Sequence, residues 1–401
     1  MLDPSGRALL AEAAVLRAQG PAVLVELPGP VHAWSVTRHS VIEALTTDPR
    51  VSRDFRRHWP GRTEVPEGWP LAAIAFQESF LNAYGEEHRR LRRRNAPAFS
   101  PQRVERMRPN VQAAADRLVA ALAALPPGTS ADLRETVAKP LTMTVICDLF
   151  GVPDHLRTPL IDALEAIRDY SVSPERGRVI QAELLHRLTE LLQYKREHPA
   201  PDLTSDLILP SESDQEPMSE PELISTLFSL IAAGYEAPID LIASAVHFLL
   251  THPDTLAGIR QGTLDWDDVI EETLRIDGPV MHVPLRYAVE DIDLGEGVVI
   301  KKGDPIIIAF AAAGRDPELH PENPDRFDPA RAGKKHLAFG HGPHYCLGAY
   351  LARLEARIAL TTLFAELPDL ALTHPGQQPP RVTSMIVNGP ENLNIIPRPA
   401  T

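Results

Sequence analysis

Cysteine is nearly absent from this chain, with two residues among 401. Two cysteines cannot build the disulfide framework that small secreted proteins need, so that class of protein is excluded. Basic charge is scarce as well, because 54 aspartate and glutamate residues outnumber 40 lysine and arginine residues and give a net charge of −14. Nucleic-acid-binding proteins usually carry a basic excess, so no nucleic-acid partner is expected.

A long hydrophobic run without charges is also missing. The longest apolar stretch, residues 229–250, contains Glu236, Pro238 and Asp240 near its middle, and carboxylates in lipid would be costly. Charged side chains interrupt the N-terminal stretch, which matches neither a signal peptide nor a membrane anchor. We therefore expect a cytoplasmic protein with no membrane partner, in which residues 229–250 form a buried helix.

What the chain does contain is helical spacing of apolar residues. This pattern predicts helices at roughly 103–125, 133–150, 158–170, 178–197, 265–275 and 347–366. Strand patterns are fewer and lie at 31–37 and 291–310, the second as two runs around a Lys-Gly turn. The polar stretch 209–222 is typical of a linker that ends in a capping box of Ser219 and Glu222. The fold class is predicted as mainly α with small β-sheets, in a single domain over 1–401.

One cysteine stands in the stretch FGHGPHYCLG at residues 339–348, ahead of an apolar stripe with helical spacing. Cys346 is therefore expected at or just before a first helical turn, where free amides and the helix dipole lower a thiol's pKa. Gly340 and Gly342 permit backbone shapes that a side chain would forbid.

The residues alone leave four roles open for Cys346. A buried, inert thiol is the commonest fate of a free cysteine. Zinc binding with His341 and His344 lacks a fourth ligand, since Cys147 is distant in sequence, and a nucleophile lacks a matching base. A thiolate at a glycine-flanked helix start also suits axial ligation of a haem iron.

Five residues of this stretch form a longer pattern. Phe339, Gly342, His344, Cys346 and Gly348 match FxxGxHxCxG, and by this pattern the chain resembles the cytochrome P450 superfamily. The resemblance implies the mainly helical P450 fold, with haem b (iron protoporphyrin IX) between helix I and the cysteine loop that precedes helix L. It also implies that Cys346 ligates the iron and that Phe339 and Gly348 contact the cofactor.

Other parts of the chain match family landmarks in the family's order. EEHRRLRRRNAPAF at 86–99 resembles helix C, in which His88 and Arg92 share a helical face. The resemblance implies that both bind the haem propionates together with Arg286 and His344, which suits buried carboxylates. The alternative is a solvated basic face, and the other arginines of this stretch are implied to form a positive patch for an acidic electron donor.

A further landmark is EETLR, in which Glu272 and Arg275 match the family's ExxR pair. Their spacing alone would predict an ordinary i,i+3 surface ion pair of small energy. The resemblance instead implies a buried structural network, which Arg326 of NPDRFDP closes.

The stretch AAGYEAP resembles the oxygen-binding part of helix I. Ala233 and Gly234 are implied to approach the haem, and Glu236 is implied to deliver protons, whereas without the resemblance Glu236 would be an ordinary ion-pair partner. The family usually has threonine after the acid, and this chain has Ala237, which removes a hydroxyl from the oxygen site. Pro238 lacks an amide hydrogen and is expected to make a kink or groove in the helix.

The missing hydroxyl leaves three functions open. An oxygenase can use water or a substrate hydroxyl in its place, and our hypothesis is a hydroxylated substrate. A haem–thiolate peroxygenase or isomerase needs no such proton delivery, and a non-catalytic haem ligand-binding protein would share the same cysteine. The resemblance favours a monooxygenase of secondary metabolism that takes electrons from a separate ferredoxin and ferredoxin reductase.

Substrate contacts are implied in four segments: the loop before helix C, the helix I face, and the stretches 280–283 and 385–387. All are mostly apolar, which indicates a fairly large hydrophobic substrate such as a macrolide, polyketide, steroid or terpenoid. Taken singly, each residue is more commonly ordinary core. The implied lining residues are Ile74, Phe76, Val280, Val283, Met385 and Ile386.

Overall fold

The computed structural model describes residues 1–166, 174–209 and 217–400. The helices are α1 (Leu9–Gln19), α2 (His39–Thr47), α3 (Phe55–His58), α4 (Ala72–Ala75), α5 (Gly85–Asn95), α6 (Pro101–Ala123), α7 (Lys139–Phe150), α8 (Asp154–Ala166), α9 (Pro174–Glu197), α10 (Leu203–Ile208), α11 (Glu220–Thr251), α12 (Pro253–Gln261), α13 (Trp266–Asp277), α14 (Phe310–Ala313) and α15 (Ala349–Glu366). The strands are β1 (Val23–Leu27), β2 (Val31–Val36), β3 (Val51–Ser52), β4 (Ala131–Asp132), β5 (Arg286–Ala288), β6 (Ile292–Asp293), β7 (Val299–Ile300), β8 (Pro305–Ile308), β9 (Ala371–Leu372) and β10 (Asn394–Ile396).

Helices dominate this architecture, as predicted. Apolar spacing located α6, α9, α13 and α15 well, whereas the predicted helix 133–150 is divided into a π-helical turn at Arg134–Ala138 and α7. The predicted helix 158–170 starts earlier, as α8. Its residues 167–170, like residues 210–216 of the predicted linker, lie outside the described residues.

The described strands form three small sheets. The largest has the order β1-β2-β8-β5-β3, in which β2 and β8 run parallel with Trp34 opposite Ile306 and the other neighbours are antiparallel. The stretch 291–310 holds three strands rather than the two predicted. That prediction is wrong because Gly295 and Gly297, both at φ +77°, turn β6 back onto β7 before β8 joins the largest sheet.

Helix α11 lies in the main hydrophobic core and packs on α7, α13 and α15. The predicted capping box is confirmed, because the Glu222 carboxylate accepts from the Ser219 amide at 2.8 Å and Ser219 Oγ accepts from the Glu222 amide at 3.4 Å. The helix runs unbroken through Pro238. Its length and composition would allow a membrane span, but 61% of its most apolar window is buried inside the protein, in agreement with the predicted core helix.

Helix α13 carries a buried ion pair. Arg275 donates to the Glu272 carboxylate through Nε and Nη2, each at 2.7 Å, and both side chains have no exposed surface. The remaining guanidinium hydrogens go to the carbonyl oxygens of Gly314, Pro324 and Arg326 at 2.7 to 2.9 Å. The buried network that the ExxR pattern implied is therefore present.

The side chain that closes this network differs from the prediction. Arg326 is exposed and contributes only its carbonyl oxygen, so the prediction of its side chain was wrong. Arg331 takes the place instead, with its Nε 3.5 Å from Glu272. The turn at 322–331 causes this exchange, since Arg331 also donates to the carbonyl oxygens of Glu322 and Asn323 and is thereby drawn inward.

Candidate active site

The loop that precedes α15 presents Cys346. The residue at the N-cap of α15 is Gly348, so Cys346 lies just before the first turn, as predicted. The Cys346 amide donates to the carbonyl oxygen of Phe339 at 2.9 Å, which closes the loop on itself. Phe339 is half-buried against the core, with the guanidinium carbon of Arg353 4.4 Å from its ring centroid. A Cβ built at Gly348 would lie 3.9 Å from Cys346 Sγ, an ordinary van der Waals contact, so this glycine lies beside the sulfur.

Close backbone packing requires glycine in the same loop. Gly342 has φ +70°, and a Cβ there would lie 2.6 Å from the carbonyl oxygen of Thr46 at the end of α2. No other residue fits that distance without moving α2. The loop is therefore held against the N-terminal part of the chain as well as against α15.

The two thiols have different surroundings. Cys147 is buried in the core of α7, and burial raises its pKa to about 11. The Cys346 side chain is accessible, yet protein surrounds it, and burial raises its pKa even though the Gly348 amide and the Arg92 charge lower it. The predicted lowering of the Cys346 pKa is wrong in net direction, since burial outweighs the amides at the helix start.

Seven basic side chains line one cavity of about 680 Å³, among them the exposed Arg89 and Arg93 of α5. The other five are buried or half-buried. We call them the basic cluster: Arg53, which follows β3, His88 and Arg92 of α5, Arg286 of β5, and His344 of the cysteine loop. The rings of His88 and His344 lie 4.0 Å apart between centroids. Arg92 donates to the carbonyl oxygen of Tyr345 at 2.6 Å, which ties α5 to the cysteine loop. The structure thus brings all four predicted propionate ligands together and adds Arg53.

The basic cluster has no acidic partner. Within the described part of the chain, the charges that act on its three arginines include no carboxylate. Burial and the neighbouring cations lower the pKa of His88 to about 4 and the pKa of His344 well below its usual value. Arg286 Nη1 and His88 Nε2 are buried without a hydrogen-bond partner. A bound anion would supply hydrogen-bond acceptors for these groups and offset the positive charge of the arginines.

The chemistry of this donor set fits a cofactor with two carboxylates, because two buried guanidiniums, the half-buried Arg92 and two imidazoles line one cavity. Haem b has two propionates, and an accessible thiol lies in the loop that supplies His344. The zinc alternative fits poorly, since the described residues hold no group of three or more His, Cys, Asp or Glu side chains able to bind a metal ion. That alternative is therefore wrong.

Helix α11 presents two acids to one arginine. Arg134 of the π-helical turn donates to Glu236 at 2.7 Å through Nη2 and to Asp240 through Nη1. All three side chains are buried. The ion pair that Glu236 was expected to form without the resemblance is present, and its implied role in proton delivery stays a prediction.

The neighbouring positions on α11 are small. Ala233 is exposed and Ala237 is half-buried. A side chain built at Gly234 would contact Ile146 of α7 at 3.6 Å, so the space beside this glycine faces α7. Pro238 has no amide hydrogen, and the carbonyl oxygen of Gly234 lacks the helical bond that an amide at 238 would donate.

Two of the predicted substrate segments pair through their backbones. The Met281 amide donates to the carbonyl oxygen of Ile386 at 2.7 Å, and His282 Nδ1 lies 2.6 Å from the carbonyl oxygen of Met385. Val280 forms an isolated bridge with Val387. Segments 280–283 and 385–387 are therefore adjacent, as the resemblance implied.

A third predicted segment packs on the same cluster. Phe76 and Ile386 are partly buried against a hydrophobic cluster that contains Met385 and Met281. Ile74 and Val283 are half-buried, and Val283 packs on a neighbouring cluster. Whether these side chains contact a substrate stays a prediction.

The arginines on the outer face of α5 are mostly paired. Arg89 and Arg93 are 65% and 72% exposed and both contact Glu86, at 2.7 Å and 3.4 Å. Arg90 pairs with Glu222 at the start of α11, and Arg94 donates to carbonyl oxygens of α10. The exposed part of the predicted positive patch is therefore limited to two arginines that share one acid.

Sequence reasoning missed three arginines. Arg53 and Arg134 lie in VSRDFR and DLRETV, and neither stretch carries a pattern that distinguishes a buried arginine from an exposed one. Arg331 follows the NPDRFDP landmark by two residues, whereas Arg326 lies inside it and was predicted for that reason. Each of the three is defined by partners more than 25 residues away, which local spacing cannot identify.

Known proteins are similar to this chain over nearly its whole length. A family model described as cytochrome P450 matches residues 266–396. The chain is 38% identical over 396 residues to 2-hydroxy-5-methyl-1-naphthoate 7-hydroxylase of Streptomyces carzinostaticus, which covers 98% of this chain and 96% of that protein.

Solved structures agree with this fold. CYP154A1 from Streptomyces coelicolor A3(2) has a TM-score of 0.92 at 44% identity and covers 98% of this chain and 99% of its own. CYP154C4 from Streptomyces sp. ATCC 11861, solved with testosterone bound, has a TM-score of 0.94 at 39% identity and covers 99% of this chain and 98% of its own. The chain belongs to the cytochrome P450 family of haem–thiolate monooxygenases.

Proposed function

We propose that this enzyme inserts one oxygen atom of O₂ into a fairly large, hydrophobic organic substrate that carries a hydroxyl group. The observation behind this proposal is Ala237, which leaves the oxygen site of α11 without the side-chain hydroxyl usual in the family. A substrate hydroxyl at that position would supply the missing donor and acceptor.

The cofactor in this proposal is haem b. Its two propionates would be bound by the basic cluster, where unpartnered buried donors favour anions, and Cys346 would ligate the iron. When bound, the haem–thiolate group supplies the activation of oxygen and its insertion into a C–H or C=C bond. Phe339 and Gly348 would lie near the ligating sulfur, and Ala233 of α11 would contact the haem, whereas the space beside Gly234 faces α7.

Protons in this proposal pass by way of Glu236. Its carboxylate is fixed by Arg134 and lies one residue before Ala237 on α11. With alanine at 237, a hydroxyl group beside Glu236 would have to be supplied by water or by the substrate. Pro238 supports this arrangement, because it frees the carbonyl oxygen of Gly234 to accept a hydrogen bond from a hydroxyl or a water.

The substrate class rests on the apolar segments and on the relatives. Ile74, Phe76, Val280, Val283, Met385 and Ile386 are the proposed lining residues. One relative is named for a substrate with a 2-hydroxy group on a naphthoate, and another was solved with the steroid testosterone bound. Both names support a fused-ring or polyketide-like hydrophobic substrate with an oxygen substituent.

Electrons in this proposal come from a separate ferredoxin and ferredoxin reductase. Arg89 and Arg93 are the exposed arginines of α5 that would contact an acidic donor, although Glu86 offsets part of their charge. A cytoplasmic location also stays a prediction.

The test of the hydroxyl proposal is a pair of substrate analogues that differ only in that hydroxyl. With a surrogate ferredoxin, its reductase and NADPH, we expect several-fold more product per NADPH consumed for the hydroxylated analogue. The matched variant Ala237→Thr should narrow this difference, because it restores the side-chain hydroxyl. Equal coupling of both analogues in the wild-type enzyme would contradict the proposal.

Ala237 also favours a second candidate, a peroxygenase, since hydrogen peroxide brings its own protons. The same analogues with peroxide in place of NADPH distinguish the two. Product formed with peroxide at a higher rate than with the electron donors would identify the peroxygenase.

A further inference from the structure

Arg53 is the member of the basic cluster that no sequence pattern indicated. Its side chain is buried, at 4% exposure, and it lines the same cavity as His88, Arg92, Arg286 and His344. Two of its guanidinium nitrogens have partners, because Nη2 donates to Asn82 Oδ1 at 2.9 Å and to the carbonyl oxygen of Pro284 at 3.3 Å, and Nε lies 3.3 Å from the same Asn82 oxygen. The described residues show no hydrogen bond from Nη1.

The positive charges of the basic cluster favour the binding of an anion beside Arg53. Its influence reaches the other members, since its charge lowers the pKa of His344 and of Arg286. A cation buried so close to other cations is unfavourable unless a carboxylate lies between them. Nη1 is the group left to bind that carboxylate.

One of the two partners of Arg53, Asn82, belongs to a proposed substrate segment, the loop before α5. Asn82 is buried, and its Nδ2 donates to the carbonyl oxygens of Ile74 at 2.6 Å and Gln77 at 3.0 Å. These two bonds close the turn that carries Ile74 and Phe76. Asn82 therefore binds this turn through its amide nitrogen and Arg53 through its amide oxygen.

The other partner of Arg53 adjoins a second proposed substrate segment. Pro284 directly follows residues 280–283, so its carbonyl oxygen fixes the end of that segment to Arg53. A single guanidinium thus contacts Asn82 of one proposed substrate segment and the residue that follows another, and it lines the cavity of the basic cluster. No other described member of the basic cluster makes hydrogen bonds to both segments.

We propose that Arg53 binds a haem propionate as a third arginine of the cluster, and that through Asn82 and Pro284 it positions both substrate segments when the haem is bound. Arg53 is a cofactor-binding residue in this inference, and Asn82 is a positioning residue. The second half of the inference rests on the proposed substrate contacts.

The test compares four variants of the haem-loaded enzyme: Arg53→Gln, Arg53→Lys, Asn82→Ala and Arg57→Gln. Arg57 is the control, because it lies four residues further along the same stretch and is exposed. Two readouts are needed, the rate of haem transfer to apomyoglobin and the hydrogen exchange of amides 71–84 by mass spectrometry. Neither uses a substrate or turnover, so failure of the hydroxylated-substrate proposal leaves this test intact.

We expect Arg53→Gln to speed both haem loss and amide exchange about tenfold relative to wild type. Asn82→Ala should speed exchange to a similar degree and leave haem loss within about twofold. Arg53→Lys should keep haem loss within about threefold, since the charge remains, and still speed exchange, since the bonds to Asn82 and Pro284 are lost. Arg57→Gln should match wild type in both readouts.

Two results would overturn the inference. Haem loss from Arg53→Gln equal to that from Arg57→Gln would show that Arg53 binds no propionate. Exchange of amides 71–84 unchanged in Asn82→Ala would show that the link to the substrate segment carries no constraint.

Discussion

Two groups of buried arginines in this protein are built in opposite ways. Arg275 is complete within the chain, because Glu272 and three carbonyl oxygens take every side of its guanidinium. Arg286 is also buried, yet its Nη1 has no hydrogen-bond partner among the described residues, and the charge of another arginine, Arg53, lowers its pKa. Both side chains have low exposure, so burial alone does not separate them.

The difference indicates what each arginine does. A buried charge with a full set of partners stabilises the fold, and its loss leaves the partner uncompensated. A buried charge without a counterion stores an unfavourable energy that a ligand can relieve, which is the condition for binding. Counting the partners of buried charges therefore separates structural from cofactor-binding residues here, where the residue type does not.

The largest effect is expected from a variant that breaks the network of Glu272 and Arg275. Glu272→Gln is expected to lower the free energy of unfolding by about 3 to 5 kcal/mol, because Arg275 stays buried without its counterion. Chemical denaturation, in which the folded fraction is followed, measures this free energy of unfolding. Glu175→Gln, which breaks an exposed pair of the same i,i+3 spacing with Arg178, should change it by less than about 0.5 kcal/mol. Similar losses in both variants would contradict the comparison.

A buried acid extends the comparison to negative charge. Glu355 of α15 is 2% exposed, the Thr142 hydroxyl donates to it at 2.5 Å, and burial raises its pKa to about 7 from 4.5. Because the folded-state pKa is the higher one, its contribution is complete below about pH 4.5 and is lost as the pH rises through 7.

The expected loss at Glu355 is about 3 kcal/mol across that interval. The measurement is the free energy of unfolding between pH 5 and pH 8 for wild type and for Glu355→Gln. The variant should show a flatter pH dependence, since its amide stays neutral. Parallel curves for the two proteins would show that Glu355 does not titrate in this range.

A smaller effect is expected at the incomplete arginine. Arg286→Gln should release haem about tenfold faster than wild type, which corresponds to about 1.4 kcal/mol. The helix content of the folded protein should change little, because the substitution removes a buried cation that has no acidic partner among the described residues. Haem transfer and circular dichroism measure the two quantities. Unfolding of Arg286→Gln comparable to that of Glu272→Gln would place both arginines in one class.

The smallest effect tests which side chain closes the Glu272 network. Arg326→Ala should change the free energy of unfolding by less than about 0.5 kcal/mol, because its side chain is exposed and only its carbonyl oxygen is used. Arg331→Ala should cost about 1 to 2 kcal/mol, since Arg331 lies near Glu272 and donates to two carbonyl oxygens of the turn. The reverse order of the two variants would restore the residue that the sequence pattern favoured.

The sequence predicted the helical class and the cysteine loop because both depend on local information. Apolar spacing located α6, α9, α13 and α15, and the glycines around Cys346 followed from the pattern that contains them. The family landmarks also predicted one site for four residues that the structure places around one cavity: His88, Arg92, Arg286 and His344.

Long-range polar contacts could not be predicted in the same way. Arg53 and Asn82 are 29 residues apart, and Arg134 and Glu236 are 102 residues apart. An arginine in an irregular or charged stretch is usually solvated, so its burial depends on a partner that spacing does not identify. The predicted direction of the Cys346 pKa shift was wrong for a related reason. The amides at the helix start lower this pKa, but burial by the whole fold raises it by more.

The pairing of β2 with β8 has a consequence for synthesis on the ribosome. Trp34 and Ile306 meet in the largest sheet although about 270 residues separate them, so the edge of β2 has no sheet partner until most of the chain has been made. An unpaired strand edge promotes association between chains. Overproduction of this enzyme should therefore depend on slow translation or chaperones, and truncations that end before residue 305 should aggregate.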